Sequence, residues 1–200
     1  MRTTWDFHGG IHPEENKRQS TQFPIVDAPL PQKVILPLQQ HIGAPAEPVV
    51  LVGEKVKTGQ LIAKADGFIS ANIHASISGT VIAIEDHAIP HASGMTDECI
   101  IIESDGQDEW VALEPLSNWE NASVDELLNK IASAGIVGMG GAGFPTAVKA
   151  RTRERHSIDT LVINAAECEP YITSDDMAMR TYPEQVIAGA KILCQLVDPS

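Results

Sequence analysis

Glycines stand at positions 135, 138, 140, 141 and 143, inside Gly135-Ile-Val-Gly-Met-Gly-Gly-Ala-Gly-Phe-Pro-Thr-Ala-Val-Lys149. Backbone without side chains costs conformational entropy, and it is used where the chain must approach something closely or take positive φ. The pattern predicts a helix from Phe144 to about Arg155. Its N-terminus would offer unpaired N–H groups and partial positive charge to an anion such as a phosphate. Gly138-x-Gly140-x-x-Gly143 matches a dinucleotide-binding string, but only Ile136-Val137 separates Gly135 from Gly138, so the strand that fingerprint requires is missing. A P-loop is excluded, because Phe144 stands where its lysine belongs. A close-packed structural turn accounts for the same glycines.

A second polar group follows. Thr160-Leu-Val-Ile-Asn164 predicts a buried strand running into Asn164-Ala-Ala-Glu-Cys-Glu-Pro170. A strand end of this kind delivers polar residues into a crevice. Glu167 and Glu169 alternate, so in extended chain both carboxylates face one side, where they can accept hydrogen bonds from ribose or amide groups. By itself the segment also reads as a solvated acidic loop. Lys149, Arg151, Arg153 and Arg155 form a basic run, either an exposed helix face or a rim attracting phosphates.

The elements that position these residues fall into two parts. Seven of the 13 prolines precede Val49, which predicts extended chain and turns there. Short β-branched runs broken by glycine follow, at Val49–Gly53, Leu61–Ala63, Ile73, Thr80–Ile84 and Cys99–Ile102, and read as strands of a small sandwich or barrel. After Pro115 helical signals take over. Ser123-Val-Asp-Glu126 is a capping box opening a helix with Leu127, Leu128, Ile131 and Ala134 on one stripe and Gly135 as its stop. Pro183–Val197 reads as a further helix, with Val186, Ile187, Ala190, Leu193 and Leu196 or Val197 inward. The expected class is therefore all-β followed by α/β, with a β-rich module over 1–117 and a Rossmann-like domain from 118 to 200. One strand cannot make a sheet, so the second domain is expected to be truncated and the natural protein longer.

Fourteen Lys and Arg against 27 Asp and Glu give a net charge of −13. That excludes a nucleic-acid binder and a polybasic membrane-surface module. No apolar run reaches the roughly 18 residues of a membrane span. Cys99, Cys168 and Cys194 match neither a disulfide framework nor a metal knuckle, so no metal ligands are assigned. Nine acids and no Lys or Arg lie between Glu85 and Glu114, a solvated acidic face.

Two resemblances sharpen this reading. Val52-Gly-Glu-Lys-Val-Lys-Thr-Gly-Gln60 reads as strand, turn, strand, and His74-Ala-Ser-Ile-Ser-Gly-Thr-Val81 as a second hairpin. The pair resembles the biotinyl/lipoyl carriers over about residues 48–84, which implies a barrel-sandwich hybrid. The carrier function does not follow, because the turn that would carry the modified lysine, Ala65-Asp-Gly-Phe-Ile-Ser70, has none.

Gly138-x-Gly-Gly-Ala-Gly-Phe-Pro-Thr146 with Lys149, then Asn164-Ala-x-Glu-x-Glu-Pro170, resembles the FMN- and NADH-binding motifs of the complex I flavoprotein subunit, the NuoF type. With Asp6-Phe-His-Gly-Gly-Ile-His-Pro13 in front, the chain resembles the RnfC family, the NADH-side subunits of the Rnf/Rsx ion-translocating electron transport complexes. The resemblance implies FMN against the glycine loop and NADH stacked over it. Gly138, Gly140, Gly141, Gly143 and Lys149 would line the nucleotide side. Asn164, Glu167 and Glu169 would line the flavin and nicotinamide side. It further implies two 4Fe-4S clusters in a part beyond Ser200, the other Rnf/Rsx subunits as partners, and a peripheral position on the cytoplasmic side of the bacterial inner membrane. Hydride transfer from NADH to flavin needs no side chain as acid or base, so no catalytic residue is assigned. Met139 and Ala166 replace an arginine and an aspartate of the complex I pattern, which removes one phosphate contact and one flavin contact. The alternative is a non-enzymatic docking or scaffold module of the same complex.

Overall fold

The computed structural model describes residues 8–11, 13–91, 93–139, 141–151 and 157–199. They divide into two compact units: the described residues of Met1–Asp27 with Val162–Lys191, and Ala28–Leu161 with the described residues of Ile192–Ser200.

The larger unit begins with seven strands: β1 (Lys33–Pro37), β2 (Glu47–Pro48), β3 (Lys55–Val56), β4 (Leu61–Lys64), β5 (Ile73–His74), β6 (Gly79–Ala88) and β7 (Thr96–Ser104). They form a four-stranded sheet in the order β1-β7-β6-β3 and a three-stranded sheet in the order β2-β4-β5, and these strands pair antiparallel throughout. Leu38, Val50, Val56, Ile62, Ile73, Ile77, Val81, Ile100 and Ile102 make one buried cluster. Burying each such side chain contributes about 1.5–3 kcal/mol. The isoleucine run of β7 is buried without a break from Cys99 to Ile102, as suits a strand with neighbours on both edges.

The two glycine-bearing segments are not hairpins. Chain 52–64 leaves the first sheet at β3 and enters the second at β4, and chain 73–84 leaves the second at β5 and enters the first at β6. The segments pair with each other instead, Lys55 opposite Thr80 and Leu61 opposite His74. The crossing is closed by Gly59 N–H donating to Ala75 O (2.8 Å) and Ala75 N–H donating to Gln60 O (2.8 Å). Local pattern places the strands and their turns; only the long-range pairing decides which sheet each joins.

Two strand expectations are corrected. Val49–Gly53 is not a strand: only Val50 is buried, while Leu51 and Val52 project into solvent on the way to the turn at Gly53. Thr160–Asn164 forms no strand either, and Val162 is 76% exposed. A strand needs a neighbour for its N–H and C=O groups, and among the described residues after 118 no strand pairs with it.

The helical expectations fare better. Helix α1 (Val124–Ser133) carries the complete capping box of Ser123 and Glu126. The two hydrogen bonds from Ser123 hold the Glu126 carboxyl below its usual range. Leu127, Leu128 and Ile131 are buried, and Gly135 follows at φ 67°. They pack with Ala147 and Ala150 of the short helix α2 (Thr146–Ala150) and with Leu196 of α4 (Pro183–Val197). Helix α3 (Ser174–Thr181) precedes α4. Ile187, expected inward on α4, is 55% exposed.

Two outcomes follow from the barrel. A Cβ at Gly79 would lie 1.9 Å from Glu103 O across the β6–β7 pairing. Gly79→Ala is expected to destabilise by about 2–4 kcal/mol in denaturant unfolding. Asp105 accepts from Ser78 Oγ (2.7 Å) and Gln107 N–H (2.9 Å), and these bonds hold its carboxyl below the usual range. Its contribution is present above the unfolded-state value and lost as pH falls through the lower folded one. Asp105→Asn is expected to flatten the acid limb of stability measured below about pH 4.

Candidate functional site

The glycine loop is closed at its base by a short ladder. Gly138 N–H donates to Phe144 O (2.9 Å), Thr146 N–H donates to Ile136 O (3.0 Å), and Val137 bridges Pro145. The loop then lies on the barrel. Ile42 N–H donates to Ala142 O (2.8 Å). Gly143 is buried at φ 62°, where a Cβ would meet Gln40 O at 2.6 Å and His41 Cα at 2.9 Å. Gly135 makes a matching approach below it, 2.3 Å from its virtual Cβ to Asn72 O. His74 lies beside that contact, and burial pushes its imidazole pKa down.

The glycines therefore have different work. Gly135 and Gly143 give close approach of backbone to backbone, as a structural turn requires. Gly138 sits at ordinary contact distance from Phe144 O. Gly141 is exposed at φ 118°, with nothing within 4 Å of a virtual Cβ. Met139 beside it is 96% exposed. A cleft of about 660 Å³ opens along Gly141 and Ala142, walled on the barrel side by Gln39, Gln40, Ile42 and His91. Side-chain-free backbone thus borders open space large enough for a flat ring system. Gly140 lies outside the described residues, as do Arg153, Arg155, Asp6, Phe7 and His12.

The helix expected from Phe144 to about Arg155 is shorter where described: α2 is five residues, with Pro145 at its N-cap. So short a helix supplies little macrodipole. Any anion held here meets loop N–H groups first. Lys149 is exposed in the last turn of α2.

Asn164, Glu167 and Glu169 belong to the other compact unit. Asn164 Oδ1 accepts from Ala166 N–H (2.9 Å), which turns the chain. The Glu167 side chain is only 6% exposed. Its Oε1 accepts from Asp175 N–H (2.9 Å), capping α3, whose own N-cap residue Thr173 makes no side-chain capping bond. Its Oε2 lies 3.8 Å from Lys17 Nζ. Glu169 is exposed, and its backbone O accepts from Lys17 Nζ (3.3 Å). The alternation of the two glutamates thus separates one carboxylate bound by the protein from one that faces solvent. Lys17 was not legible as part of this loop, being some 150 residues away in sequence.

Among the described residues, no cluster of His, Cys, Asp and Glu is arranged to hold a metal ion. No described helix is long and apolar enough to cross a membrane.

Residues 5–107 match the RnfC barrel sandwich hybrid domain, and residues 131–200 match the Nuo51 FMN-binding domain. The chain belongs to the RnfC family. The relatives it resembles are named as C subunits of oxidoreductase complexes that translocate ions or protons. It is 51% identical to the C subunit of the ion-translocating oxidoreductase complex of Pseudomonas aeruginosa, over 96% of this chain and 25% of that protein. It is 48% identical to the C subunit of the proton-translocating ferredoxin:NAD(+) oxidoreductase complex of Clostridium ljungdahlii, over 96% of this chain and 42% of that protein. It is 48% identical to the C subunit of the ion-translocating complex of Rhodobacter capsulatus, over 96% of this chain and 37% of that protein. The chain thus spans a quarter to two-fifths of these relatives. The RnfC match includes the lysine-free turn at 65–70.

The seam between loop and barrel yields a paired test. Gly143→Ala is expected to lower stability by about 2 kcal/mol or more, since both φ and Gln40 O oppose a Cβ. Gly189→Ala, in α4 with open space around it, is expected to raise stability by up to about 1 kcal/mol. Thermal unfolding of the two variants beside the parent measures both.

Proposed function

We propose that this chain forms the nicotinamide-side flavin site of an ion-translocating electron transport complex, with FMN against the glycine loop and NADH over it. The observation that carries the reading is Gly141, whose open backbone borders the cleft within a segment matching an FMN-binding domain. The residues fit the group in kind: loop N–H groups for a phosphate, a cleft with the apolar Ile42 on its wall for a ring, and no metal chemistry required.

The chemistry supplied by bound FMN is conversion of a two-electron hydride donor into two one-electron deliveries. The chain's own residues bind and orient. Gly138, Gly140 and Gly141 are the glycines this reading assigns to the nucleotide side, and Gly143 fixes the loop on the barrel. Lys149 adds positive charge on the phosphate side. In the other compact unit, the exposed Asn164 and Glu169 are the polar groups available to a nucleotide, and Glu167 shapes their loop. No residue is asked to move a proton. Electrons would pass to two 4Fe-4S clusters carried by the longer protein. The partners would be the other subunits of the complex, on the cytoplasmic face of the inner membrane. The name of the clostridial relative includes ferredoxin and NAD(+), which supports a nicotinamide substrate for a complex of this kind.

The test uses the full-length subunit. Flavin fluorescence is expected to be quenched on binding, and NADH to be oxidised by an artificial acceptor. Gly141→Val is expected to weaken flavin binding at least about tenfold, the equivalent of 1.4 kcal/mol. A subunit that takes up no flavin, and whose capture by its complex survives that substitution, would make it a docking module.

A further inference from the structure

The N-terminal segment before the barrel grips the acidic loop. Lys17 Nζ donates to Ile172 O (2.9 Å) and Glu169 O (3.3 Å) and pairs with Glu167 Oε2 (3.8 Å). Glu15 O accepts from Tyr171 N–H (2.8 Å), and Ser20 Oγ donates to Tyr171 O. Tyr171 is held at φ 69°, a conformation that non-glycine residues adopt only when their surroundings enforce it. Both of its backbone polar groups are bound by this one segment. One ammonium thus joins a shielded carboxylate to two carbonyls on either side of Tyr171.

We propose that Lys17 is a positioning residue: with Glu15 and Ser20 it straps the 167–172 loop, so that Glu167 serves the loop's shape and Glu169 is left as the exposed carboxylate through which that loop acts on nucleotide binding. The proposal deepens the nucleotide-site reading and rests on it. Glu167 already bonds Asp175 N–H and Ser174 Oγ through Oε1 and Lys17 through Oε2, so both of its oxygens are committed to the protein. Lys17 neutralises Glu167, which otherwise would repel the phosphates of an incoming dinucleotide. Removing the lysine takes the counter-ion from Glu167 and the charged donor from Glu169 O and Ile172 O, and a lost hydrogen bond to a charged group corresponds to roughly tenfold or more in an equilibrium.

The experiment compares Lys17→Met, Lys17→Arg, Glu169→Gln and Lys57→Met in the full-length subunit. Lys57 pairs with Glu109 on the exposed barrel surface and serves as the control. Amide hydrogen exchange without nucleotide reads the strap, flavin titration reads the FMN site, and NADH oxidation is split into KM and kcat. Lys17→Met is expected to speed exchange across 167–175 and to raise KM for NADH about tenfold, with the melting temperature nearly unchanged. Lys17→Arg should restore most of that loss. Glu169→Gln should raise KM without changing exchange, and Lys57→Met should change neither. Unchanged exchange and KM in Lys17→Met, in a subunit that binds flavin and oxidises NADH, would overturn the proposal alone. A parent subunit that takes up no flavin overturns the nucleotide reading, and the positioning role with it, whatever the exchange shows. Faster exchange with unchanged KM makes the strap purely structural and also overturns that role.

Discussion

Two peptide backbones lie against each other where no side chain fits between them. At Gly143 the loop meets the chain at Gln40 and His41, and at Gly135 the end of α1 meets Asn72 O. A methyl group at either point would overlap a carbonyl oxygen. Because these approaches are so close, Ile42 N–H can reach Ala142 O and the loop takes a fixed path over the barrel. The fixed path in turn leaves Gly141 facing open space. The barrel-sandwich module is therefore part of the site's construction: it is the surface against which the glycine loop is moulded.

These contacts tie the barrel-sandwich module to the glycine loop that follows it. The two crossing segments, 52–64 and 73–84, build a small closed core around Ile62, Val81, Ile100 and Ile102. The chain beside that core supplies what the loop touches: Gln40 and His41 at Gly143, Ile42 at Ala142 and Asn72 at Gly135. The lysine-free turn at 65–70 joins β4 to β5 within this scaffold. In the other unit, a comparable economy operates through charge. Glu167 supplies the cap that Thr173 does not give to α3, and Lys17 balances it.

What was legible in the sequence was local. The capping box of Ser123 and Glu126, the stripe of Leu127, Leu128 and Ile131, and the bounds of α4 follow from spacing alone, because each depends on residues within a few turns. The candidate glycines were legible as a group but not by role. Only packing against Gln40 separates Gly143 from Gly141. The crossings of 52–64 and 73–84 read as hairpins because strand and turn signals do not state a partner. The stretch 160–164 has the composition of a strand and no neighbour to make it one. Lys17 was hidden because its contacts lie at the far end of the chain, and a lysine before a proline-rich stretch carries no local signal.

The central claim is that the glycine backbone at the tip of the 138–143 loop borders a flavin site shaped by the barrel. The most direct measurement is an experimental structure of the full-length subunit with FMN bound. The account predicts flavin density beside Gly141, with its phosphate in reach of loop N–H groups and the contact between Ala142 and Ile42 retained. Flavin density remote from residues 138–143, or a cleft filled by the protein's own side chains, would contradict it.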